Sequence, residues 1–533
     1  MTKPARTPEK KSVDAVVVGA GFAGLYMVQR LREAGLSVQG FDAASDVGGT
    51  WYWNRYPGAR CDIPSLLYSY TWSEEVRKSW RWSEKYATQP EILSYAEFVA
   101  DKYDLRRDFL FNTKVVSAVY DEASRRWTVT TDAGDVVDAR YCIMATGCLS
   151  VPRGADLPGA DSFRGESYVT GLWPHEGVDF TGKRVAVIGT GSSAIQSLPL
   201  IAEQARHVTV FQRTPNFSLP AVNTALTDEE VALFDAAFPD FIKAVKAGEP
   251  GIPMPPADWV PSDEELKPLL ENLWSGWGLV ACAQVPNLMK DERINAAASD
   301  YVRSKIREIV KDPALAEKLI PRDFPLASKR ACVDTNYFET YNRDNVTLVD
   351  LHETTIERIT PEGVKTSEGL IEVDAIVYAL GFDAMTGALN RIDIRGREGR
   401  ALKDEWANGP KTYLGLMVAG FPNLFTVTGP GSPSVLSNML MSIEFHVDWI
   451  ADAIAYAEQR QARRIEATAE AQDAWVAHVN DEADKTLYPR ANSWYIGANV
   501  PGKPRVFMPY VGEGYKVRID EVAARGYEGF EVA

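Results

Sequence analysis

The stretch Asp14-Ala-Val-Val-Val-Gly19-Ala-Gly21-Phe-Ala-Gly24 decides the fold class of this chain. Its three consecutive valines are typical of a strand that is buried on both faces of a parallel sheet. The glycines predict a tight turn, a close backbone approach to a pyrophosphate and close helix–strand packing, and an apolar stripe at helical spacing follows them. Asp42 ends the next apolar segment, where a carboxylate accepts hydrogen bonds from a ribose hydroxyl. Together these features predict a dinucleotide site whose phosphates face the helix N-terminus.

A second copy of this pattern lies at Arg184-Val-Ala-Val-Ile-Gly189-Thr-Gly191-Ser-Ser-Ala194. Alanine replaces the third glycine, which is tolerated because only helix–strand packing is at stake there. The next strand ends at Arg213 rather than at an acid, and a guanidinium binds a 2′-phosphate that a carboxylate would repel. A solvated charge at the strand end is the alternative interpretation of this arginine. The first site therefore suits FAD and the second NADPH, which predicts hydride transfer from nicotinamide to flavin.

The composition is ordinary for a globular enzyme and argues against several other classes. The chain has 533 residues, 45% hydrophobic and 24% charged, so two or three domains are expected. A net charge of −16 argues against nucleic acid or an anionic membrane as a partner. The five cysteines form no CxxC pair, so no disulfide framework, metal site or dithiol redox centre is expected. Because no signal-peptide pattern and no long apolar run is present, a cytoplasmic location is the default expectation.

Two apolar strands, which end in Ala-Thr-Gly147 and Ala-Leu-Gly381, mark where the chain crosses between the nucleotide units. We therefore predict an α/β fold with two Rossmann-like dinucleotide-binding domains and a helical insertion in the NADPH domain. The predicted division is 1–150 for the first part of the FAD-binding domain, 151–218 for the first part of the NADPH-binding domain, 219–330 for the helical insertion, 331–385 for the second part of the NADPH-binding domain and 386–533 for the second part of the FAD-binding domain, with substrate-side loops and the C-terminal segment.

Smaller patterns add local predictions within this division. Hydrophobic alternation over residues 107–140 predicts a small β-meander. In the insertion, capping boxes at Thr227 and Ser262 predict helix starts, and the aromatic stretch Trp274–Trp277 is expected in the core. Strand and glycine-loop patterns over Phe421–Asn438 predict a return to the flavin domain.

The segment Gly48-Gly-Thr-Trp-Tyr-Trp-Asn-Arg-Tyr-Pro-Gly-Ala-Arg-Cys-Asp62 is too aromatic and too rich in glycine for a regular element. It suits a wall beside a flat ring, and an aromatic-packed surface loop is the alternative. This segment and the two nucleotide units resemble the FAD- and NADPH-dependent Baeyer–Villiger monooxygenases over nearly the whole chain, with phenylacetone and steroid monooxygenases the most alike. The family signature [AG]GxWxxxx[FY]P[GM]xxxD is matched by Gly49, Trp51, Tyr56, Pro57, Gly58 and Asp62.

A second family signature, FxGxxxHxxxW[PD], is matched with one departure. The matching residues are Phe163, Gly165, Trp173 and Pro174, and Val169 stands where the family has histidine. The family uses that histidine in hydrogen bonds of the domain linker, so its absence bears on how tightly NADPH oxidation is coupled to oxygenation.

The resemblance implies a mechanism and assigns two catalytic residues. NADPH reduces FAD, O2 adds to the flavin as a C4a-peroxide, and this species converts a cyclic, aryl or steroid-like ketone to an ester or lactone. Arg330 reaches the flavin and stabilises the negative charges, Asp62 holds that arginine, and Lys329 assists the 2′-phosphate. Trp494 matches a tryptophan that lies against the NADP ribose region, and a core indole is the alternative.

The predicted site residues follow from these motifs. Those expected to bind cofactor are Gly19, Gly21, Gly24, Asp42, Gly49, Thr50, Trp51, Tyr56, Asp62, Gly189, Thr190, Gly191, Ser192, Ser193, Arg213, Thr214, Lys329 and Trp494. Those expected to line the substrate pocket are Ser434, Leu436, Met439 and Leu440.

Three other functions remain open at this stage. A flavin monooxygenase that oxygenates sulfides or amines shares both glycine loops but does not need an arginine at the flavin. An NADPH oxidase that releases H2O2 would result if the chemistry were uncoupled, and a non-enzymatic redox sensor is the most distant alternative. The expected partners are a small ketone and O2, with no nucleic acid and no membrane, and the expected assembly is a monomer or weak homo-oligomer.

Overall fold

A computed structural model describes residues 10–256 and 258–533, and two sheets built around parallel strands organise it. The strands are Lys10–Val18, Val38–Phe41, Phe109–Leu110, Val115–Asp121, Arg126–Thr131, Val136–Met144, Glu166–Val169, Arg184–Ile188, His207–Gln212, Ser218–Pro220, Cys332–Asp334, Val346–Asp350, Ile356–Thr360, Gly363–Thr366, Gly369–Glu372, Ala375–Tyr378, Asp393–Arg395, Leu424–Thr426, Ile465–Ala467 and Phe530–Val532. The helices are Phe22–Glu33, Thr50–Trp53, Glu74–Ser79, Gln89–Lys102, Ser192–Gln204, Asp228–Lys246, Asp263–Leu273, Gly278–Ala283, Glu292–Ile309, Pro313–Leu319, Tyr337–Thr340, Gly387–Asn390, Leu402–Glu405, Met439–Gln459, Ala469–Asp484 and Tyr515–Ala524.

The first sheet is built around the strand that precedes the first glycine loop. Lys10–Val18 pairs in parallel with Val38–Phe41 on one side and with Val136–Met144 on the other. The valines of this strand are buried, as the β-branched run predicts. Leu424–Thr426 also pairs in parallel with the end of Val136–Met144, so a strand from the late part of the chain joins the first sheet.

The β-meander predicted over residues 107–140 is an antiparallel extension of this sheet. Val115–Asp121 pairs with Arg126–Thr131, which pairs in turn with Val136–Met144. The last of these strands runs on past residue 140, where it pairs in parallel with Lys10–Val18 and Leu424–Thr426 instead of with Arg126–Thr131.

The second sheet has five parallel strands in the order Val346–Asp350, His207–Gln212, Arg184–Ile188, Ala375–Tyr378 and Glu166–Val169. The helix Ser192–Gln204 follows its central strand, as Phe22–Glu33 does in the first unit. Parallel strands with crossover helices, twice in one chain, confirm the α/β fold with two Rossmann-like units.

Helices occupy most of the segment between the strands Ser218–Pro220 and Cys332–Asp334. Both predicted capping boxes are formed, with Thr227 and Ser262 each bonded to a glutamate three residues on. The expectation of a core position for the whole aromatic stretch is wrong at Trp277, which is 47% exposed. Its ring lies 4.4 Å from Lys85 Nζ, so a cation covers it instead of apolar neighbours.

Within the part of the chain that the structure describes, none of the helices is long and apolar enough to cross a membrane.

Candidate active site

The first glycine loop is packed so tightly that side chains are excluded from it. Gly19 has φ +111°, and a Cβ there would overlap the carbonyl oxygen of Ala145, at the tip of the strand that ends in Ala-Thr-Gly. A Cβ at Gly24 would overlap the carbonyl oxygen of Gly19 itself. The turn and the helix–strand packing predicted for these two glycines are therefore present, and they form a cradle that fits a dinucleotide phosphate.

The second glycine loop repeats the turn but is more open. Gly189 has φ +113°, and a Cβ there would overlap the carbonyl oxygen of Ala379, the counterpart of Ala145. A Cβ at Gly191, in contrast, would meet no other atom within 4 Å. The backbone at Gly191 therefore faces open space, which is what the approach of a pyrophosphate requires.

Asp42 is tied to the first glycine loop by its carboxylate. One carboxylate oxygen accepts from the backbone N–H of Ala20 at 2.6 Å, and the other accepts from that of Ala44 at 2.7 Å. Burial raises the pKa of Asp42, against the effect of these two hydrogen bonds. The acid thus fixes the strand end to the loop, in addition to any hydrogen bond with a ribose.

Two cations stand at the corresponding place of the second unit. Burial and the nearby charge of Arg213 lower the pKa of Lys329. Lys329 Nζ lies 4.2 Å from the ring centroid of Phe324, and over residues 10–256 and 258–533 neither cation forms an ion pair with a carboxylate. Two adjacent cations of this kind fit a 2′-phosphate dianion.

The aromatic loop Gly48–Asp62 lies between the two glycine loops. A Cβ at Gly49, where φ is +53°, would come within 2.8 Å of the Cα of Gly21 in the first loop. Gly58, with φ +77°, faces the carbonyl oxygen of Gln196 on the helix that starts at the second loop, and a Cβ there would overlap that oxygen. The loop therefore contacts both nucleotide units through glycines.

Arg330 and Asp62, which are 268 positions apart in the chain, form a bidentate ion pair. Arg330 Nε donates to one carboxylate oxygen at 2.6 Å and Nη2 donates to the other at 2.9 Å. Nη1 donates to the carbonyl oxygen of Val435 at 2.5 Å. Burial by itself would lower the pKa of Arg330, but the charge of Asp62 and its hydrogen bonds together outweigh burial and raise this pKa. The guanidinium is therefore permanently charged.

Three of the five guanidinium N–H groups are used in these bonds, which leaves two for other acceptors. The hydroxyl of Tyr495 is close enough to Arg330 for the guanidinium to act on its pKa, which burial raises. Val435 and Tyr495, which both interact with Arg330, belong to an apolar cluster that also contains Cys148, Leu149, Met385, Leu436, Met439, Trp494 and Met508. The site therefore combines a fixed cation with apolar walls.

The residues predicted to line the substrate pocket differ in accessibility. Leu436 and Met439 are partly accessible in the apolar cluster beside Arg330. Ser434 and Leu440 have no accessible surface, and Leu440 packs in the core of the first unit. Trp494 is partly accessible, with its ring centroid 4.5 Å from that of Tyr495.

The remaining predicted residues are part of the loops themselves. Thr50 is exposed and begins the short helix Thr50–Trp53, so the expectation that this segment forms no regular element is wrong there. Trp51 and Tyr52 of this helix are buried, and the indole of Trp51 donates to Tyr68 at 3.1 Å. Thr190 donates to the carbonyl oxygen of Thr214 at 2.7 Å, which joins the second glycine loop to the strand end. Ser192 and Ser193 are the first residues of the second helix.

Val169, in place of the family histidine, ends the strand Glu166–Val169 and is half-buried against apolar neighbours. The next residue, Thr170, is buried, and its hydroxyl lies 3.1 Å from that of Ser193. A short hydroxyl pair therefore connects this segment to the second helix.

Three functional contacts could not be expected from the sequence. The carbonyl of Val435, the hydroxyl of Tyr495 and the amide of Gln196 carry no motif, since each depends on how distant segments meet. The only signal was proximity: Tyr495 follows the predicted Trp494, and Val435 lies between two predicted lining residues. Among the described residues, no group of three or more His, Cys, Asp or Glu side chains could hold a metal ion.

The chain is similar to known proteins over nearly its whole length. Residues 16–226 match a family model described as pyridine nucleotide-disulphide oxidoreductase. The chain is 43% identical over 524 residues to a Baeyer–Villiger monooxygenase of Pseudooceanicola batsensis, which covers 96% of this chain and 95% of that protein. It is 41% identical over 535 residues to a phenazine N-monooxygenase of Lysobacter antibioticus, covering 98% and 97%. A solved structure, an oxidized steroid monooxygenase bound to NADP, matches with a TM-score of 0.93 and 50% identity over 98% of this chain and 99% of that one.

Proposed function

Because this chain belongs to the Baeyer–Villiger monooxygenases, we propose that it uses FAD, NADPH and O2 to convert an apolar ketone to an ester or lactone. One oxygen atom of O2 enters the substrate between the carbonyl carbon and a neighbouring carbon, and the other leaves as water. NADPH and one proton supply the two electrons and the hydrogens that this water requires. The observation that carries the proposal is the Arg330–Asp62 ion pair beside both nucleotide units.

The two glycine loops would hold the two cofactors. The cradle at Gly19, Gly21 and Gly24 would bind the FAD pyrophosphate, and Asp42 would accept from its ribose. Gly191 would receive the NADPH pyrophosphate, while Arg213 and Lys329 would bind the 2′-phosphate. When bound, FAD reduced by NADPH supplies the activated oxygen.

Arg330 would stabilise negative charge during the transfer of oxygen. Its N–H groups that are not bonded to Asp62 or Val435 are available to the oxygen of the substrate carbonyl as charge develops there. Because its pKa is raised, the arginine cannot protonate a nucleophilic oxygen and thereby inactivate it. Asp62 would fix the guanidinium in one orientation, so that no reorganisation is needed at the moment of reaction.

The walls of the site favour an apolar substrate. Leu436, Met439 and Trp494 are partly accessible in the apolar cluster that contains Val435, and they offer apolar surface. Such a surface binds hydrocarbon rings and excludes water, which would otherwise protonate the reactive oxygen. We therefore propose cyclic, aryl or steroid-like ketones as the substrate class.

The test is product analysis with the holoenzyme. Purified protein that contains flavin would be supplied with NADPH, O2 and one cyclic, one aryl and one steroid ketone, and products would be identified by mass. An ester or lactone 16 mass units heavier than the ketone is expected, and 18 units heavier when ¹⁸O2 replaces O2, because the inserted oxygen comes from that gas. NADPH consumption with H2O2 as the sole product from every ketone would contradict the proposal.

Oxygenation of a heteroatom is a second candidate, because a relative of the same length is named a phenazine N-monooxygenase. That reaction uses the activated oxygen as an electrophile and gains nothing from a cation that keeps it anionic. A sulfide and an aromatic amine, tested beside the ketones, distinguish the two. Faster oxygenation of the heteroatom substrates, unchanged in Arg330→Ala, would favour the second candidate.

A further inference from the structure

The side chain of Gln196 joins the second nucleotide helix to the aromatic loop that carries Asp62. Its Oε1 accepts from the hydroxyl of Tyr56 at 2.8 Å, and its Nε2 donates to the carbonyl oxygen of Arg60 at 3.2 Å. Burial raises the pKa of Tyr56, so its hydroxyl keeps the proton that it donates. Both ends of the amide are therefore matched, one to a donor and one to an acceptor.

The backbones of the helix and the loop are also in close contact at Gln196 and Gly58. Gly58 lies between the two residues that Gln196 bonds, and its left-handed conformation puts its Cα against the carbonyl oxygen of Gln196. No Cβ fits in that space. A shift of the helix is therefore transmitted to the loop as a displacement, and side-chain rotation cannot absorb it.

The Gln196 contact lies next to Asp62 in the loop. Arg60 is followed by Cys61, whose N–H donates to the carbonyl oxygen of Ala87 at 3.2 Å, and by Asp62, which holds Arg330. The side chain of Arg60 donates to Glu84 at 2.8 Å, so this part of the loop has a second anchor. Only one residue, Cys61, separates the end of the Gln196 contact from the catalytic ion pair.

Gln196 lies within the first two turns of the helix that begins at Gly191, where the NADPH phosphates are proposed to bind. We propose that Gln196 is a positioning residue: it couples the NADP-bound state of the second nucleotide helix to the orientation of the Asp62–Arg330 pair. The inference rests on the proposed function, since it assigns the coupling between NADP binding and oxygenation to one amide.

The variant Gln196→Met keeps the length and flexibility of the side chain and removes both hydrogen bonds. Tyr56→Phe removes only the hydroxyl bond. Gln204→Met is the matched control: it is the same substitution at the end of the same helix, where the side chain accepts from Phe180 N–H at 3.2 Å, away from the loop.

The first measurement is amide hydrogen exchange of residues 58–62 in the holoenzyme, with and without NADP⁺. We expect NADP⁺ to slow exchange there in the wild type and in Gln204→Met, and to have no such effect in Gln196→Met. Equal slowing in Gln196→Met, or no slowing in wild type that binds NADP⁺, would overturn the proposal.

The second measurement is the amount of ester formed per NADPH consumed. We expect Gln196→Met to lower this ratio about fivefold or more, since the net loss of even one of its two hydrogen bonds corresponds to that factor. Flavin reduction by NADPH without O2 should stay within about twofold of wild type, because that step does not use Arg330. The double variant with Tyr56→Phe should be no worse than Gln196→Met alone, since both act through one contact.

A purely structural role for Gln196 predicts a different pattern: flavin reduction, the ester ratio and the melting temperature would fall together, and this result would overturn the assignment.

The failure of the proposed function would give a different result. If wild type formed no ester from any ketone, the oxygenation assignment would be wrong, while the exchange experiment would still decide whether Gln196 couples the helix to the loop.

Discussion

The two glycine loops share one turn geometry but differ in what surrounds them. In the first, three glycines pack against backbone, and Asp42 gives both carboxylate oxygens to backbone N–H groups. In the second, Ala194 replaces the third glycine, Gly191 faces open space, and the strand end carries a cation.

The same fold can therefore serve two kinds of cofactor binding. A loop whose glycines pack against backbone suits a cofactor that stays bound, because the loop contains no side chain that could move to let the cofactor in or out. An open loop with two adjacent cations suits an anionic cofactor that enters and leaves, since its binding relieves their repulsion. Arg330 lies where the aromatic loop joins the two units, so it can respond to both.

The largest expected effect comes from adding one methyl group to the first loop. Gly24→Ala forces a Cβ onto the carbonyl oxygen of Gly19, and we expect a loss of about 3 kcal/mol or more of folding stability because rigid backbone cannot yield. Flavin content per protein and the melting temperature measure it.

Gly191→Ala is the matched control in the second loop. It should keep the flavin and most of the stability, because its Cβ meets no atom within 4 Å, but it should bind NADPH less tightly. An equal loss of flavin and of stability in Gly24→Ala and Gly191→Ala would show that the two loops are equally crowded.

A smaller effect is expected from the cations of the second unit. Arg213→Ala combined with Lys329→Met should lower kcat/KM for NADPH about 100-fold, since each charge-assisted hydrogen bond to the phosphate contributes about tenfold. The value for NADH, which has no 2′-phosphate, should change little. A parallel loss for both nucleotides would instead indicate a role of these residues in folding.

The smallest effect concerns a buried acid beside the first unit. Glu444 accepts from the backbone N–H of Thr71 at 2.5 Å and from its hydroxyl, and burial raises the pKa of Glu444 to about 7. The folded state therefore holds this proton more tightly than the unfolded state, and the resulting stability is lost as the pH rises from about 4.5 to 7.

Glu444→Gln can keep both hydrogen bonds and removes the titration. The free energy of unfolding of the variant, relative to that of wild type, should rise by on the order of 1 kcal/mol from pH 5 to pH 8. Denaturant unfolding at the two pH values measures this gain. A difference between variant and wild type that does not change with pH would contradict the assignment.

Much of the fold was predictable because local patterns specify it. The valine runs, the glycine spacing and the capping boxes each act within a few residues, and the strands and helices that they predict are present. Trp277 was mispredicted because an exposed ring covered by a lysine has the same sequence pattern as a buried one.

The site was predictable only through the resemblance to the family, whose signature contains Asp62 but not Arg330. Asp62 and Arg330 stand far apart in the chain, and no local pattern joins them; their pairing depends on the fold bringing the aromatic loop to the strand Cys332–Asp334. The division into domains, the cofactor-binding and substrate-lining residues, the cytoplasmic location and the oligomeric state stay predictions.

We expect Arg330 to act after flavin reduction, and the variant Arg330→Ala separates flavin reduction from oxygen transfer. In Arg330→Ala, we expect flavin reduction by NADPH without O2 to remain within a few-fold of wild type, while ester formation falls by about 10²–10³, the loss typical of one oxyanion donor. Arg322→Ala, at an exposed arginine paired with Glu317, is the control and should change neither rate. Ester formation at a near wild-type rate in Arg330→Ala would contradict the account.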